Sequence, residues 1–330
     1  MRLRVHPARS PLSGRIRAPG DKSISHRAVL FGGLAEGTTE VRGFLEGEDT
    51  RATLAAVSAL GAVVERDGDA IRIQGRPLRA PGEPLDLGNA GTGIRLLAGA
   101  LAGHPDLEGR SITLTGDASL SRRPMNRIIE PLERMGARID SVGGHAPLVI
   151  HPGPLAPIEI DLAIASAQVK SAILLAGLNA HGRTRVTSPA PSRDHTERLF
   201  PAFGVPVRVD GLQVEVEGPI RLKGCRLGVP GDLSSAAFPM AAALLVPGSA
   251  IRLSGVGVNP TRDGVLRILD RMAPGSVERH PAAAGGGAGD EPVADLVARH
   301  VGRPAGVEVP VEWVPLAIDE FPMLMALAAV

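Results

Sequence analysis

A run of polar side chains near the start of the chain has the composition of an anion-binding site. It reads PGDKSISHR from Pro19 to Arg27, and an apolar segment follows it. Because a Pro-Gly pair interrupts the preceding segment and Asp21 or Ser23 can cap a helix, Lys22 and Arg27 are expected on the first turns of that helix. Unpaired N–H groups and the helix dipole favour anions at such an end. The alternative is a basic helix start on a solvated surface.

Lysine is rare in this chain, which sets Lys22 apart. The chain has 36 Lys plus Arg residues, and the lysines among them are Lys22, Lys170 and Lys223. A lysine in a chain that otherwise uses arginine suggests a site that needs a compact ammonium group rather than a planar guanidinium. Lys22 is therefore a candidate for chemistry, whereas Lys170, in a second polar motif, is interpreted as a supporting charge.

The bulk composition is that of a soluble globular protein with more than one domain. The chain has 330 residues, of which 44% are apolar and 22% charged, and this length is large for one core. A net charge of +1 and the absence of tyrosine argue against a nucleic-acid partner. The single Cys225 and nine scattered histidines give no metal-ligand spacing. Without a secretory signal or an apolar run of about 18 residues, we expect a cytoplasmic protein that uses neither a membrane nor a metal.

The chain repeats one order of elements, a βαβαββ unit. Copies are predicted to begin at strands 14–18, 85–87, 158–161 and 225–229, and a fifth copy at strand 314–318. The turn from the first strand to the first helix carries a polar motif in every copy. Since ligands gather at such strand ends, the turns are expected to line a common site.

Repeats that bury one face against like neighbours should occur in complete sets. Three copies make residues 19–228 one complete domain, and residues 1–18 with 229–330 form a second domain. We therefore predict an α/β protein of two domains built from βαβαββ repeats. Between the fourth and fifth copies, residues 281–289 are low in complexity and are predicted to form a loop.

Seven motifs occur in an order and spacing that resembles the 5-enolpyruvylshikimate-3-phosphate synthase family of enolpyruvyl transferases. They are GDKSISHRAVL, LGNAGTGIRLL, GDASLSRRPM, SAQVKSAILLAGL, SPAPSRDHTERL, PGDLSSAAF and IDEFP. The resemblance runs from about Leu12 to the last residue, and seven motifs in register are far more specific than one. It implies a fold of two domains, each of three βαβαββ units, in which the N-terminal strand belongs to the C-terminal domain.

The resemblance implies transfer of the enolpyruvyl group of phosphoenolpyruvate to the 5-hydroxyl of shikimate 3-phosphate, with release of phosphate. This reaction belongs to the shikimate pathway of aromatic amino acid biosynthesis, and it implies no cofactor or metal. The family also implies inhibition by glyphosate, which occupies the phosphoenolpyruvate pocket, and we expect a monomer. An Arg-rich site suits these substrates because guanidinium pairs bidentately with carboxylate and phosphate.

The resemblance also assigns site residues, position by position. Those for shikimate 3-phosphate are Lys22, Ser23, Arg27, Ser166, Ala167, Gln168, Arg193 and Asp319. Those for phosphoenolpyruvate are Lys22, Gly91, Arg123 and Gln168. The two catalytic residues are Lys22, which would stabilise charge on a tetrahedral intermediate, and Asp319, which would receive the hydroxyl proton.

Structural roles are the alternatives for three of these residues. Gly91 could serve only as a turn glycine, and Arg123 could pair with Glu130 or Glu133 on the following helix. Asp319 could serve only as a helix cap.

Two departures leave other functions open. Repeats that come in complete sets suggest that the second domain lacks its end. The resemblance implies that the missing part is roughly 100 residues long and carries a Lys-Glu segment and two arginines for phosphoenolpyruvate. A catalytically silent anion-binding homologue is therefore one alternative. The other is UDP-N-acetylglucosamine enolpyruvyl transferase, whose pattern has a Lys-Asn pair and a cysteine in a mobile loop. Here Ser23 follows Lys22, and Cys225 lies outside the corresponding loop.

Overall fold

The computed structural model describes residues 6–282 and 289–330 and divides into two compact units. The terminal unit holds the described residues within Met1–Asp21, Pro230–Gly287 and Glu291–Val330. The central unit holds those within Lys22–Val229 and Ala288–Asp290. The sequence predicted the boundaries between the two domains after residues 18 and 228, and the units of the structure meet after Asp21 and Val229.

Both units consist of strands that alternate with helices. The strands are β1 (Ser13–Ile16), β2 (Gly37–Arg42), β3 (Val63–Asp67), β4 (Ala70–Gly75), β5 (Leu85–Asp86), β6 (Ile112–Thr115), β7 (Arg138–Val142), β8 (His145–His151), β9 (Glu159–Asp161), β10 (Gly182–Thr187), β11 (Arg208–Asp210), β12 (Gln213–Gly218), β13 (Arg226–Gly228), β14 (Ala250–Gly257), β15 (Val277–Pro281) and β16 (Val293–Arg299). The α-helices are α1 (Lys22–Leu34), α2 (Glu48–Ala59), α3 (Gly91–Ala102), α4 (Asn126–Arg134), α5 (Ala167–Gly177), α6 (His195–Leu199), α7 (Leu233–Leu245), α8 (Gly264–Met272) and α9 (Phe321–Ala328).

Four sheets share one strand order, which confirms the predicted α/β repeat. The central unit contains β13-β2-β4-β3, β5-β6-β8-β7 and β9-β10-β12-β11, and the terminal unit contains β1-β14-β16-β15. In each sheet the first two strands pair in parallel and the other neighbours pair antiparallel.

Two strands belong to different repeats from the ones that sequence order predicts. The segment 225–229 was predicted to open the fourth copy, but its strand β13 pairs with β2 and completes the first sheet. Repeat order placed β1 in the first copy, but β1 pairs with β14 in the terminal unit, the unit to which the resemblance assigned the N-terminal strand. An apolar pattern identifies a strand without identifying its hydrogen-bonding partner, so adjacency along the chain was misleading at both positions.

The predicted strand 314–318 is also wrong. Its first residues belong to a 3-10 helix, Val311–Leu316. Pro310 and Pro315 lack the N–H group that a paired strand needs, which favours this outcome. Strands β15 and β16 were not predicted. The predicted loop 281–289 begins where β15 ends, and residues 283–288 of it lie outside the described part of the chain.

The inner helices α1, α3 and α5 form the core of the central unit. They are buried around most of their circumference, so their apolar residues follow no single stripe. Gly99 lets α3 approach α5 closely, because a Cβ there would lie 2.1 Å from the carbonyl oxygen of Ala172. Phe31 adds ring contacts to Phe200 and Phe203, with centroids 5.2 and 5.5 Å away. This packing holds α3 against α5 and α1 against the segment that contains Phe200 and Phe203.

The terminal unit has a separate core. Apolar residues of α7, α8 and α9, including Leu233, Leu269 and Leu324, pack with Leu253 and Leu296 of its sheet. Within residues 6–282 and 289–330, no helix has the length and apolar content needed to span a membrane.

Acidification should weaken the central unit through His104, which follows the C-terminal end of α3. The pKa of His104 is lowered to about 4, chiefly by burial. The carboxylate of Asp106 acts against this shift, and the charge of Arg221 acts with it. The unfolded chain binds this proton near pH 6.5, so the free energy of unfolding should fall by up to about 3 kcal/mol between about pH 6.5 and 4. Urea unfolding across this range should show a flatter dependence for His104→Leu. The exposed His181→Leu control should keep the wild-type slope, and an unchanged slope in His104→Leu would contradict the prediction.

Candidate active site

The N-terminal turns of α1, α3 and α5 carry most of the site residues predicted in the central unit. Helix α1 begins at Lys22 and α3 begins at Gly91. Helix α5 begins at Ala167, with Ser166 as its N-cap, and Ser166 Oγ accepts a hydrogen bond from the N–H of Val169 at 3.4 Å. Each of these ends presents backbone N–H groups and the positive end of a helix dipole, which favour anions.

Gln168 joins the residues predicted for the two substrates. Its Nε2 donates to Thr92 Oγ1 at 3.0 Å, and its Oε1 accepts from Arg95 Nη1 at 2.9 Å. Arg95 Nη1 also donates to the carbonyl oxygen of Gly91 at 3.0 Å. Arg123 completes this group, since a Cβ at Gly91 would lie 2.8 Å from Arg123 Nη1. The first turns of α3 and α5 therefore meet around Gln168.

Positive charge is concentrated at this place. Burial lowers the pKa of Arg95, and the neighbouring charges of Arg123 and Arg127 lower it further. Arg123 donates to the side chain of Asn89, and Asn89 Nδ2 in turn donates to Asp117 Oδ2 at 2.8 Å. Bringing like charges together is unfavourable unless an anion joins them. Phosphate and carboxylate are the groups that guanidinium binds best.

The side chain of Arg27 links α1 to α5 and α6. Its side chain is buried, and Nε donates to Thr196 Oγ1 at 2.7 Å while Nη2 donates to Ser171 Oγ at 3.0 Å. The two hydroxyl groups lie 2.6 Å apart, and Arg27 Nη1 donates to the carbonyl oxygen of Ser23 at 3.0 Å. In this structure Arg27 therefore fixes the backbone of Ser23 at the start of α1.

Lys22 is the most accessible of the predicted cations for which contacts are described. Its side chain is 59% exposed, and its Nζ lies 3.2 Å from Asp49 Oδ2. Exposed ion pairs contribute little to stability, so the ammonium group can exchange Asp49 for a substrate anion at small cost.

Two predicted residues lie apart from this group. Arg193 is half-buried in the segment between β10 and α6, three residues before Thr196. Asp319 belongs to the terminal unit, where it is exposed in the turn before α9, and the buried Glu320 that follows it is the N-cap residue of that helix.

Sequence reasoning missed Arg95. It lies four residues after Gly91 on α3, one helical turn along the same face, and inside the motif LGNAGTGIRLL. Spacing from Gly91 could have identified it, but its bond to Gln168 depends on the packing of α3 against α5.

Two cavities of the central unit differ in their relation to these residues. One of about 280 Å³ adjoins the start of α5, and its lining includes Arg127, Ser166 and Val169. Another of about 450 Å³ is lined by residues beyond the C-terminal ends of α3 and α5, including His104 and Leu178. The second cavity contains none of the predicted site residues, so the larger volume does not mark the site.

Comparisons with known proteins identify the family of this chain. The sequence pattern of the family described as EPSP synthase (3-phosphoshikimate 1-carboxyvinyltransferase) matches residues 7–330. A 3-phosphoshikimate 1-carboxyvinyltransferase from Alkalilimnicola ehrlichii is 53% identical over 337 residues, covering 100% of this chain and 73% of that protein. One from Acidithiobacillus ferrooxidans is 52% identical over 332 residues, covering 99% of this chain and 74% of that protein.

A solved structure of EPSP synthase from Acinetobacter baumannii superposes with a TM-score of 0.88 at 46% identity, covering 98% of this chain and 72% of that one. The chain therefore spans about three quarters of the length of these relatives. Family match, identity and superposition all extend over nearly the whole chain, and we conclude that it belongs to the EPSP synthase family of transferases.

Proposed function

We propose that this protein transfers the enolpyruvyl group of phosphoenolpyruvate to the 5-hydroxyl of shikimate 3-phosphate and releases phosphate. The observation that carries the proposal is the group formed by Gln168, Arg95, Gly91 and Arg123, where two helix N-termini meet two guanidinium groups. Both proposed substrates carry a phosphate and a carboxylate, which this chemistry binds. Curated relatives at 53% and 52% identity carry the name of this transferase.

The substrate roles follow from position. Gly91, Arg123 and Gln168 would hold phosphoenolpyruvate where α3 meets α5. Residues that would hold shikimate 3-phosphate are Ser23, Arg27, Ser166, Ala167, Gln168, Arg193 and Asp319. The backbone N–H groups at the start of α5 suit its phosphate, because Ser166 and Ala167 form the N-terminal end of that helix. Lys22, on an exposed first turn, would contact both substrates.

The reaction is an addition followed by an elimination. The methylene carbon of phosphoenolpyruvate gains a proton, and the 5-oxygen of the acceptor bonds to the adjacent carbon. The resulting tetrahedral intermediate loses phosphate together with a methyl proton, which restores the double bond. Asp319 would receive the hydroxyl proton, and Lys22 would offset the negative charge that shifts between oxygens.

Cys225 argues against the UDP-N-acetylglucosamine enolpyruvyl transferase alternative. The thiol is half-buried just before β13, and burial raises its pKa to about 11. A thiol with a raised pKa is a poor nucleophile at neutral pH. A reactive cysteine in a mobile loop has the opposite properties.

The test is phosphate release from phosphoenolpyruvate plus shikimate 3-phosphate. It should be run on the 330-residue chain and on a form that continues to the full length of the Alkalilimnicola ehrlichii relative. Release that requires shikimate 3-phosphate supports the proposal. Release only by the longer form would also support the predicted shortfall of residues.

The silent anion-binding alternative has a distinct outcome. It predicts calorimetric binding of shikimate 3-phosphate to both forms without phosphate release by either. Binding of a UDP-amino sugar in place of shikimate 3-phosphate would instead favour the other transferase. Cytoplasmic location and a monomeric state stay predictions, and gel filtration with light scattering tests the second.

Glyphosate sensitivity should depend on Gly91. A Cβ there would lie 2.8 Å from Arg123 Nη1 and 3.0 Å from Arg95 Nη1, so both guanidinium groups would have to shift. Moving a group that positions the substrate by about 1 Å can lower the rate about a hundredfold. We expect Gly91→Ala to raise both the KM for phosphoenolpyruvate and the glyphosate inhibition constant, and to leave the KM for shikimate 3-phosphate nearly unchanged.

A matched glycine provides the control for this variant. Gly82→Ala would place its Cβ where nothing lies within 4 Å, so its inhibition should equal that of wild type. Equal inhibition of Gly91→Ala and wild type would contradict the role given to Gly91.

A further inference from the structure

Arg262 is a buried cation at the centre of the terminal unit. It lies between β14 and α8 and is 8% exposed. Its Nη1 pairs with Asp21, its Nη2 lies 3.2 Å from Asp232 Oδ1, and Nη2 also donates to Ser234 Oγ at 2.7 Å. One guanidinium group therefore joins two segments that are far apart along the chain, one at Asp21 and one at Asp232 and Ser234.

Ser234 extends this network to the turn that carries Asp319. The Ser234 hydroxyl donates to Glu320 Oε1, and Glu320 is buried at the N-cap of α9. Asp319 is the preceding residue. Arg262 therefore acts on this turn through one intervening hydroxyl group.

The same network holds the segment that leads into Lys22. The Asp21 N–H donates to the carbonyl oxygen of Pro230 at 2.9 Å, and the Asp232 N–H donates to that of Pro19 at 2.7 Å. Asp232 also caps α7 by accepting from Ser235 N–H at 2.9 Å. Arg262 thus binds the side chains of both segments, which already pair through their backbones.

Four carboxylates lie close enough to Arg262 to raise its pKa. Burial acts to lower the pKa of Arg262, yet nearby carboxylates raise it above its ordinary value; they are Asp21, Asp232, Glu320 and Asp319. The adjacent Asp263 is occupied by Arg267 at 2.8 Å and by Arg279 at 3.6 Å. Arg262 is therefore a cation that these four carboxylates share.

We propose that Arg262 is a positioning residue for the transferase reaction. It binds Asp21, which precedes Lys22, and reaches Glu320, which follows Asp319, so a single buried guanidinium group orders the chain next to both proposed catalytic residues. The inference rests on the proposed function. It adds a residue that contacts no substrate and that acts through Asp21, Ser234 and Glu320.

A pH dependence separates this role from simple stabilisation. Asp319 must be ionised to accept the hydroxyl proton. Removal of the shared positive charge makes ionisation of the carboxylates harder, so activity should be lost at a higher pH as the solution is acidified. A variant that only weakened packing would lose activity at all pH values alike.

The test compares Arg262→Gln with Arg262→Lys in the form of the protein that releases phosphate. We expect Arg262→Gln to lower kcat about tenfold to a hundredfold and to move the acidic limb of its pH profile upward by about one unit. Arg262→Lys should restore the limb, because the charge is kept, but recover kcat only in part, because the planar fork is lost. Arg279→Gln, an exposed arginine of the same unit, should change neither quantity.

Ser234→Ala keeps the proposal testable if Arg262→Gln does not fold. It removes the link to Glu320 without changing any charge, and we expect a severalfold lower kcat with an unmoved acidic limb. If Arg262→Gln and Ser234→Ala both fold and keep the wild-type kcat and pH profile, the inference is wrong, whereas the proposed function is unaffected. Absence of phosphate release by both the 330-residue chain and the longer form would contradict the proposed function, and the inference with it.

Discussion

Replacement of Lys22 by alanine should lower kcat for phosphate release by about a hundredfold to a thousandfold, the usual effect of removing one group that stabilises a transition-state charge. The folded state should be almost unaffected. The Lys22 side chain is 59% exposed, and its described ion pair, with Asp49, is of the exposed kind that contributes little. Steady-state kinetics and urea unfolding on the same preparation measure the two effects.

Two variants separate the role of Lys22 from a general effect of positive charge. Lys22→Arg keeps the charge but replaces a compact ammonium group with a larger planar one, so we expect recovery of substrate binding but little recovery of kcat. Lys223→Ala removes an exposed lysine beside Gly204 and should leave kcat unchanged. Wild-type kcat in Lys22→Ala would exclude Lys22 from the chemical step.

Helices were the most predictable part of the fold. The predicted helix 233–245 coincides with α7, because Asp232 supplies an N-cap and most residues of the run that follows favour helix, although Pro239 lies inside it. The repeat order could be read for the same reason, since turns and apolar runs recur with a fixed succession. Local sequence therefore determines most of these features, whereas Pro131 and Pro239 lie inside helices against their local preference.

Strand partners could not be read from apolar periodicity, although the resemblance assigned the N-terminal strand to the C-terminal domain. Strand β13 is adjacent in sequence to α7 but pairs with β2, and β1 is adjacent to α1 but pairs with β14. Hydrogen bonding in a sheet depends on which strands the chain crossings bring together. Apolar periodicity carries no information on that choice.

The site residues that lie inside the polar turn motifs were predicted from the sequence. Lys22, Gly91 and Ser166 lie at the helix N-termini where the polar turns were predicted to gather. Arg95 and Arg262 were missed because their importance comes from partners that are distant in sequence. Arg95 bonds to Gln168, 73 residues away, and Arg262 bonds to Asp21, 241 residues away.

Lys170→Ala should produce the largest loss of stability. The Lys170 Nζ lies 2.5 Å from Glu197 Oε1, and the two side chains are 6% and 5% exposed. Among the described residues, Glu197 Oε2 has no hydrogen-bond partner, so the carboxylate depends on this one cation. Removing one member of a buried pair typically costs about 3 to 5 kcal/mol, a large share of the roughly 5 to 15 kcal/mol that stabilises a typical protein.

The double variant Lys170→Met with Glu197→Leu distinguishes loss of the pair from loss of a charge. It removes both ions and leaves neither buried alone, so its free energy of unfolding should lie close to that of wild type. Lys223→Ala, at an exposed position, serves as the matched control. Ser171 and Thr196 are the neighbours of this pair in sequence and hold Arg27, so the single variant should also weaken shikimate 3-phosphate binding. If the double variant is as unstable as Lys170→Ala, packing rather than the unpaired carboxylate accounts for the loss.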